Sequence, residues 1–508
     1  MSGIPAATLG DLIGANAQRF PDTVAYRDTD RSITHAELAC RATRLASALA
    51  RSGVRRQDRV VLFGQNSVEF CEVLAAGHLS GIIVATPNWR WSLAEVRAAI
   101  DLVGPVMVFY DPQYAGLIAS AVEDLRLPGG TVCFGAEYEE FLSTGGDELP
   151  FAAQADDIAM LLFTSGTTGG AKCCIEGQRE FLGILHTMNN SMRTGSTDRV
   201  LINMPMCHIG AMAIAGGLHI GGGTVVMQRQ FDVREALDIA EQQQITVLHV
   251  APVMLQRLLD EPAAQDALAT VRTVVYSAAP ITLPLLQRAL GTLPQARFVN
   301  MYGQSEGIVS GIPAELHTTD SAQELGSVGF PFPGVRVRVV DDEGHDVTAD
   351  APGEIVMQSE TMFRGYWNDH RATMAAIRDG WYHTGDIGCF DTRGLLHLID
   401  RKKDVIITGG ENVYSPEVEN ALSAIAGVAE CAVVGVPDER FGEAVCAVVV
   451  PMADANPTLD SIVRELADRI ARYKIPRRLV VVDTLPRLGS GKVDKKLLRA
   501  DLAAGGLG

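Results

Sequence analysis

Positive charge is scarce in this sequence. Its 508 residues include 43 Lys and Arg against 61 Asp and Glu, which gives a formal net charge of −18. Residues 401–508 hold 15 of each class, so the first 400 residues carry the whole acidic excess, with 28 basic and 46 acidic side chains. This balance argues against a nucleic-acid partner, because phosphate backbones are bound by basic surfaces.

Lysine is the scarcest charged residue. Only seven occur, and six of them lie in the neutral tail, at positions 402, 403, 474, 492, 495 and 496. Arginine therefore supplies most of the surface cations, and each lysine becomes a candidate for work that needs a compact point charge. We expect Lys495 and Lys496 to be solvated surface charges.

The sequence also lacks the patterns of metal centres, disulfides, secretion signals and membrane spans. Its nine cysteines show no ligand spacing, and the adjacent Cys173 and Cys174 have no second pair, so we expect reduced, small hydrophobic side chains. The first 12 residues contain neither a basic nor an apolar signal region. The uncharged stretch 210–227 holds six glycines and a histidine, which suits close backbone packing better than a membrane span. We therefore expect a cytoplasmic protein.

One loop stands out among the segments that are present. An apolar run of strand length, 158–163, leads into Thr164-Ser165-Gly166-Thr167-Thr168-Gly169-Gly170-Ala171-Lys172. Glycines let successive N–H groups converge on an anion, hydroxyls add neutral donors, and lysine adds a point charge for a polyphosphate. The spacing is not that of a Walker A loop, and a flexible surface turn remains an alternative on these residues alone.

The length predicts two or more domains. Residues 1–150 and 200–301 alternate helical stretches with short apolar runs, which predicts layered α/β structure. The predicted strands in the second segment are 200–204, 245–250, 274–277 and 297–301. Alternating β pattern begins at Val335, and residues 405–508 resemble a compact α/β module with helices at 416–425, capped by Ser415, and 459–473.

Three predicted strands end in residues suited to a ligand, and open α/β sheets bind ligands at such ends. The segments are 205–208 (Pro-Met-Cys-His), 277–280 (Ser-Ala-Ala-Pro) and 300–306 (Asn-Met-Tyr-Gly-Gln-Ser-Glu). In the last one, Tyr302 offers a flat face to a purine and Glu306 a hard oxygen to Mg²⁺. A helix that starts with Ser305 as its N-cap is the alternative for this segment.

Two further segments carry polar chemistry near the end of the β-rich region. Residues 380–386 end on Asp386, whose carboxylate suits a ribose diol, and 400–404 form a charged run that includes Arg401. Taken singly, Asp386 also fits a turn and Arg401 a surface ion pair. Lys492 follows a Gly/Ser loop close to the end of the chain.

Together these motifs resemble the adenylate-forming superfamily, which includes acyl-CoA synthetases, luciferases and the adenylation domains of peptide synthetases. The resemblance spans the chain, and acyl-CoA synthetases are the most similar class. Six motifs occur in the family's order and spacing, namely the loop at 164–172, Pro-x-x-His at 205–208, Tyr-Gly-x-Ser-Glu at 302–306, Thr-Gly-Asp at 384–386, Asp-Arg-x-Lys-Asp at 400–404 and Gly-x-Gly-Lys at 489–492.

The resemblance implies a fold and a mode of action. It implies an α/β protein whose large N-terminal domain, 1–402, contains layered α/β subdomains and a β-rich subdomain. A small C-terminal α+β domain, 403–508, is implied to rotate about a hinge at Lys403. The implied reaction joins a carboxylic acid to ATP as an acyl-adenylate, which coenzyme A then converts to a thioester.

Residue by residue, the resemblance implies the following roles. Residues 164–172 would hold the ATP phosphates, Glu306 would help bind Mg²⁺, and Lys492 would bridge the substrate carboxylate and the α-phosphate. Tyr302 would stack on adenine, and Asp386 with Arg401 would hold the ribose. Further nucleotide contacts are implied at Ala279, Pro280, Asn300, Gly303, Gln304 and Ser305. Gly409, Gly410 and Glu411 would meet the pantetheine thiol.

The chain departs from the family pattern around the phosphate loop. The family's Pro-Lys-Gly is here Ala171-Lys172-Cys173, its usual threonine at position 305 is serine, and the Thr-His pair common after the loop is replaced by Glu176-Gly177. These departures bear on the phosphate contacts and leave the expected fold unchanged.

The acid is expected to be simple and apolar. No carboxylate that could hold an α-amine occurs at 206–209, and no carrier domain follows residue 508, so we expect free coenzyme A as the acceptor. The candidate acid pocket is apolar with small residues, which suits an aryl or medium-chain acid. Its residues are His208, Ile209, Gly210, Val250, Ala278, Ala279, Met301, Gly303 and Ile308.

Coenzyme A is expected to bind the densest basic run of the tail, 472–478, where Arg477 and Tyr473 occur, together with Phe441. A solvated helix end is an equally good interpretation of that run. A ligase that stops at the acyl-adenylate or loads a carrier protein is left open, as is a non-catalytic nucleotide-binding relative. A homodimer is also left open.

Lys492 provides the test of the predicted reaction. Removing one preorganised group that stabilises charge in the transition state lowers the catalytic rate by a factor on the order of 10²–10³. Lys492→Ala should therefore lose acid-dependent pyrophosphate release by about that factor, yet still convert a synthetic acyl-adenylate and coenzyme A to thioester. Equal slowing of both half-reactions would contradict a role for this lysine in adenylation.

Overall fold

The computed structural model describes residues 7–164, 172–318, 322–453, 455–467, 469–487 and 493–504. The chain forms two compact units. The first comprises Met1–Val337 and Met357–Tyr382, and the second comprises Arg338–Val356 and His383–Gly508. The predicted domain boundary after residue 402 and the hinge at Lys403 stay predictions.

Helices surround the sheets of both units. The helices are α1 (Leu9–Arg19), α2 (His35–Arg51), α3 (Val68–Ser80), α4 (Leu93–Val103), α5 (Ala115–Val122), α6 (Ala136–Ser143), α7 (Gln178–Met192), α8 (Ile209–Ile220), α9 (Val233–Gln242), α10 (Pro252–Leu259), α11 (Ala264–Ala267), α12 (Leu283–Thr292), α13 (Ala322–Leu325), α14 (His370–Ala376), α15 (Ser415–Ser423), α16 (Leu459–Leu466) and α17 (Lys495–Ala503).

The strands are β1 (Val24–Arg27), β2 (Ser32–Thr34), β3 (Arg59–Phe63), β4 (Ile83–Thr86), β5 (Met107–Tyr110), β6 (Thr131–Cys133), β7 (Ile158–Thr164), β8 (Lys172–Gly177), β9 (Arg199–Ile202), β10 (Thr224–Met227), β11 (Val247–Val250), β12 (Thr273–Tyr276), β13 (Arg297–Asn300), β14 (Tyr302–Gln304), β15 (Gly307–Gly311), β16 (Phe330–Pro331), β17 (Arg336–Val340), β18 (Gly353–Gln358), β19 (Ile377–Arg378), β20 (Trp381–Phe390), β21 (Leu396–Arg401), β22 (Ile406–Thr408), β23 (Glu411–Val413), β24 (Val428–Asp438), β25 (Gly442–Pro451) and β26 (Arg478–Val481).

Two mainly parallel sheets organise the first unit. One has the order β6-β5-β3-β4-β7-β8, in which β8 is antiparallel to β7. The other has the order β13-β12-β11-β9-β10-β1-β2, in which β2 is antiparallel to β1. Parallel strands are buried on both faces and read as continuous apolar runs, which is why the sequence predicted them well. The predicted α/β layering is confirmed.

A short antiparallel sheet, β14-β15-β16, continues the first unit. It corrects the alternative that Ser305 caps a helix, because residues 302–311 form a β-hairpin. The β-pattern predicted from Val335 onward is also found, since β17, β18, β20 and β21 belong with β19 to one five-stranded sheet.

The second unit contains a sheet of order β23-β22-β25-β24, with β26 parallel to β25. The strands alternate between two buried clusters: α15 and α16 pack on the face of Val433 and Val445, and Leu498 of α17 packs on the face of Val434 and Cys446. The smaller C-terminal α+β module that the resemblance implied is confirmed.

Two helix predictions in this unit are wrong. The helix predicted over 459–473 ends at Leu466, because Ile470 and Ile475 fold back onto the cluster beneath α15 and α16. Ser415 was predicted as the N-cap of the helix at 416–425, but it is the first residue of that helix, α15, and Tyr414 takes the cap position. Tertiary contacts override local propensity in both cases.

The cysteines are all free, as expected, and Cys173 and Cys174 are buried. In the described part of the chain, no helix is both long and apolar enough to cross a membrane.

Candidate functional site

The flanks of the loop at 164–172 are held together by a strand pair. Thr164 ends β7 and Lys172 begins β8, and the two residues face each other in the antiparallel register. The loop residues Ser165, Gly166, Thr167, Thr168 and Gly169 lie outside the described residues. Thr164 and Lys172, the two described residues that flank the loop, therefore lie side by side in the sheet.

Lys172 and Glu306 both contact Tyr366. The Lys172 Nζ lies 4.6 Å from the centre of the Tyr366 ring, and the Tyr366 hydroxyl donates a 2.8 Å hydrogen bond to Glu306 Oε1. Glu306 is 7% exposed, so this carboxyl group is buried. Burial, reinforced by the charge of Glu306, raises the pKa of Tyr366 and keeps its hydroxyl protonated. Sequence reasoning missed Tyr366, since one aromatic residue beside a glycine gives no periodic signal.

The Tyr302 segment forms the tight hairpin β14–β15. A Cβ on Gly303 would lie 2.8 Å from the Gly307 carbonyl oxygen, so a side chain would not fit there. Gln304 accepts a 2.7 Å hydrogen bond from the Tyr382 hydroxyl. The turn between the strands carries Ser305 and Glu306, which brings Glu306 next to Tyr366.

Glu176 and Gly177, which stand where the family commonly has a Thr-His pair, lie in surroundings that the structure describes. Glu176 is buried, and its pKa is raised well above the usual range by burial and by the charges of Glu306 and Glu180. This shift favours the neutral form of the Glu176 carboxyl group. A Cβ on Gly177 would lie within 2.4 Å of atoms of both Glu180 and Arg364, so a side chain there would displace the ion pair that these two residues form.

The Pro-x-x-His segment is fixed by Asn66. The Asn66 side chain donates to the carbonyls of Met204 and Gln228, both at 3.0 Å, and accepts from the Met206 N–H at 2.7 Å. His208 follows at the N-cap position of α8, with its Nε2 3.3 Å from the Asn88 amide nitrogen. Ile209 and Gly210 form the first residues of α8, so these three predicted pocket residues are contiguous.

A second strand end shows backbone strain. Ala278 has a φ of 72°, a left-handed conformation that costs energy for a residue with a Cβ. Ser277 before it bonds to the buried His249, with Oγ and Nε2 3.0 Å apart, and burial lowers the pKa of His249 to about 4. Ala279 and Pro280 continue this loop. Asn300, at the end of the neighbouring strand β13, bonds to the Tyr276 carbonyl at 3.4 Å.

The predicted acid-pocket residues differ in their surroundings. Met301 and Ile308 are each 9% exposed, next to the exposed Gly303. Val250 instead packs with Leu248 in the cluster covered by α9, α10 and α12. Because successive side chains of a strand point to opposite faces, His249 lies on the face opposite to Val250. The Val250 side chain therefore belongs to that cluster.

The second unit brings Asp386 and Arg401 together. They are paired in the β20–β21 register, and Arg401 Nε lies 2.6 Å from Asp386 Oδ1. Asp386 is 1% exposed and lies in a strand, so the turn interpretation is wrong. Arg401 is 44% exposed on its side chain, as the ion-pair interpretation expected.

Gly409 and Gly410 form the turn between β22 and β23, with φ values of 62° and 87°. Both angles require glycine-like freedom, and Glu411 begins the next strand. The Gly409 N–H donates to the Phe441 carbonyl at 2.8 Å, and the Arg477 guanidinium lies 3.8 Å from the centre of the Phe441 ring. The structure thus groups Gly409, Phe441 and Arg477, while Tyr473 contacts Lys474.

The expectation that Lys495 is a solvated surface charge is wrong. Its Nζ donates to Ser415 Oγ at 2.6 Å and pairs with Glu419 Oε1 at 2.7 Å. Ser415 in turn donates to Asp400, both from its N–H and from its hydroxyl. The neighbouring Lys496 is exposed, as expected. Lys492 lies outside the described residues.

The chain matches two family models. One is described as AMP-binding enzyme and covers residues 13–367, and the other as AMP-binding enzyme C-terminal domain and covers residues 417–492. The indoleacetate–CoA ligase of Aromatoleum aromaticum is 34% identical over 97% of this chain and 97% of that protein. The fatty acid–[acyl-carrier-protein] ligase ScoC of Streptomyces coeruleorubidus is 33% identical over 97% of this chain and 96% of that protein.

A solved structure is similar over the same length. ATP-bound MatB from Rhodopseudomonas palustris is 28% identical, covers 97% of this chain and 98% of its own, and superposes with a TM-score of 0.89.

The Lys495 network generates a stability prediction. A hydrogen bond to a charged group contributes about 1.5–3 kcal/mol, and its loss would leave Glu419 and Asp400 without their cation. Lys495→Met should therefore lower the thermal unfolding midpoint of the full chain by several degrees. The exposed neighbour provides the matched control, and Lys496→Met should leave the midpoint unchanged. Equal midpoints for the two variants would show that the network contributes nothing.

Proposed function

The chain belongs to the family of AMP-binding enzymes and is an acid–thiol ligase, and we propose that it joins an aryl or medium-chain apolar acid to coenzyme A in two steps. In the first step the acid carboxylate attacks the α-phosphorus of ATP, and the bond to pyrophosphate breaks. In the second step the thiol of coenzyme A attacks the acyl carbonyl, and AMP leaves with the electron pair of the broken bond.

The observation that carries the proposal is the meeting of Lys172 and Glu306 at Tyr366. A polyphosphate needs a cation and a bound metal ion close together, and catalysis of phosphoryl-type transfer depends mainly on positioning and fixed charge. The loop from Thr164 to Lys172 begins and ends beside this pair. The arrangement supports binding of the β- and γ-phosphates there.

The residues present fit a magnesium ion. Mg²⁺ keeps most of its water or phosphate ligands and is usually held by one or two carboxylates. Glu306 supplies one such carboxylate, and the burial of Glu176 raises the pKa of that neighbouring carboxyl group and so favours its uncharged form. When bound, the ion would neutralise charge on the phosphates. Glu306 would hold it.

The remaining groups divide the work of adenylation. Tyr302 would stack on the adenine, and the Asp386–Arg401 pair would accept and donate hydrogen bonds at the ribose diol. Lys492 would bring the two anions together by lying between the carboxylate and the α-phosphate. Its role is independent of the later thiol attack.

The second step would use the C-terminal part of the chain. We place the nucleotide end of coenzyme A at Phe441 and Arg477, whose stacked ring and guanidinium offer a surface for a base and a charge for a phosphate. The turn at Gly409 and Gly410 is bonded to the same Phe441 and would line the path of the pantetheine arm. Rotation about Lys403 would exchange the two half-reactions.

The acid would occupy the apolar surface between the start of α8 and the hairpin β14–β15. His208, Met301 and Ile308 supply partly or fully buried lining there, and Gly303 leaves space for a flat ring. A relative named for indoleacetate favours an aryl acid. A relative named for a fatty acid and a carrier protein favours the alternative in which a carrier is loaded.

The proposal is tested by a panel of aryl and medium-chain acids with ATP, Mg²⁺ and coenzyme A. We expect acid-dependent pyrophosphate release and a product with the mass of the acyl-CoA. An acyl-adenylate that accumulates despite coenzyme A would favour the carrier-loading alternative. Absence of pyrophosphate release with every acid would favour the non-catalytic alternative.

The coenzyme A site yields a separate prediction. Loss of a charge-assisted contact costs roughly tenfold or more in binding, so Arg477→Glu should raise the KM for coenzyme A by about that factor. Acid-dependent pyrophosphate release without coenzyme A should stay at the wild-type rate. Arg472→Glu, in the same basic run, is the matched control and should change neither quantity. Parallel loss of both half-reactions in Arg477→Glu would refute the assignment.

A further inference from the structure

Tyr366 contacts two oppositely charged groups with different parts of its side chain. The ring face lies against the Lys172 ammonium at 4.6 Å, and the hydroxyl bonds to Glu306 at 2.8 Å. The side chain is buried, with 7% exposure. Cation–π attraction increases when the cation and the ring are desolvated, and so does a hydrogen bond to a carboxylate.

The backbone on both sides of Tyr366 is bonded to β8. The Arg364 N–H donates to the Ile175 carbonyl at 3.0 Å, and the Trp367 N–H donates to the Cys173 carbonyl at 2.7 Å. Ile175 returns a hydrogen bond to the Gly365 carbonyl at 3.0 Å. These hydrogen bonds fix the position of Tyr366 along β8, the strand that begins with Lys172.

The same segment is bonded to the turn that carries Glu306. The Phe363 N–H donates to the Glu306 carbonyl at 2.9 Å, and the Phe363 ring packs edge-on against the Tyr366 ring at 5.0 Å between centroids. The Tyr366 N–H donates to Thr373 Oγ1 at 2.9 Å. The ring is thus restrained from several sides, which is what a supporting residue needs.

We propose that Tyr366 is a positioning residue that holds Lys172 and Glu306 in one fixed arrangement for a nucleoside triphosphate and its divalent cation. A lysine side chain carries about 2 kcal/mol of rotamer entropy, and a ring face reduces the number of positions open to its ammonium. The hydroxyl fixes the orientation of the carboxylate in the same way. The inference rests on the proposed function, because it refines the ATP site of that function.

The hydroxyl is the group to remove first. Tyr366→Phe keeps the ring beside Lys172 and deletes the hydrogen bond to Glu306. We expect the Mg²⁺ concentration for half-maximal acid-dependent pyrophosphate release to rise roughly tenfold, the order expected when a charged group loses a hydrogen bond. The KM for ATP at saturating Mg²⁺ should change little. Tyr366→Leu, which also removes the ring, should raise that KM as well.

A binding measurement provides a readout that does not depend on turnover. Calorimetric titration of ATP into the full chain without acid, at several fixed Mg²⁺ concentrations, gives the Kd of the complex. In Tyr366→Phe the Kd should be weakened at low Mg²⁺ and recover as Mg²⁺ is raised. This titration tests the inference even if no substrate acid is found, so failure of the proposed ligase function would be seen separately as absent pyrophosphate release by the wild type.

Tyr138 offers a matched control. It is a fully buried tyrosine whose hydroxyl donates a 2.7 Å hydrogen bond to Glu72. Tyr138→Phe deletes the same kind of bond away from Lys172 and Glu306, and we expect reduced thermal stability with unchanged Mg²⁺ dependence. If Tyr366→Phe also loses only stability, and its Mg²⁺ dependence equals that of the wild type in both measurements, Tyr366 is a structural residue and the inference is overturned.

Discussion

The backbone pairing between β8 and residues 364–367 is the constraint on which the proposed phosphate site depends. It attaches a distant part of the chain to β8, the strand that follows the loop at 164–172, through hydrogen bonds at Cys173 and Ile175. The pairing sets where Tyr366 lies, and Tyr366 in turn contacts Lys172 and Glu306. Without it, the lysine at one strand end and the carboxylate in a separate hairpin would have no common support.

Much of the fold was predictable because buried parallel strands leave a direct trace in sequence. The apolar run before Thr164 predicts β7, and four further apolar runs predict β9, β11, β12 and β13 to within a few residues. The ends of these strands carry predicted site residues. Asp386 and Arg401 were named from short motifs, and the structure pairs them. Local pattern was sufficient for the strand ends because the chemistry follows the buried strands directly, and for Asp386 and Arg401 because their short motifs lie on paired strands.

The rest depended on contacts between residues far apart in the chain. Nothing near position 176 signals that Glu176 is buried beside Glu306, and nothing near position 366 signals a lysine against the ring. Ser415 looked like a helix cap, yet its hydroxyl links Lys495 to Asp400. The sequence predicts Val250 as a pocket residue, but its side chain packs in the cluster covered by helices α9, α10 and α12. Which face of the strand those helices cover cannot be read from the local sequence.

The contacts of the lysines bear on the proposed role of Lys172 at the phosphates. Lys402 pairs with Glu354, Lys474 with Glu417 and Lys495 with Glu419, so carboxylates neutralise each of these ammonium groups. Lys172 instead lies on an aromatic face, which attracts a cation through its quadrupole and carries no net charge. The ring therefore holds the ammonium in place while its full positive charge stays available to an anion. In a chain with an acidic excess, this arrangement would place a cation at the proposed polyphosphate site.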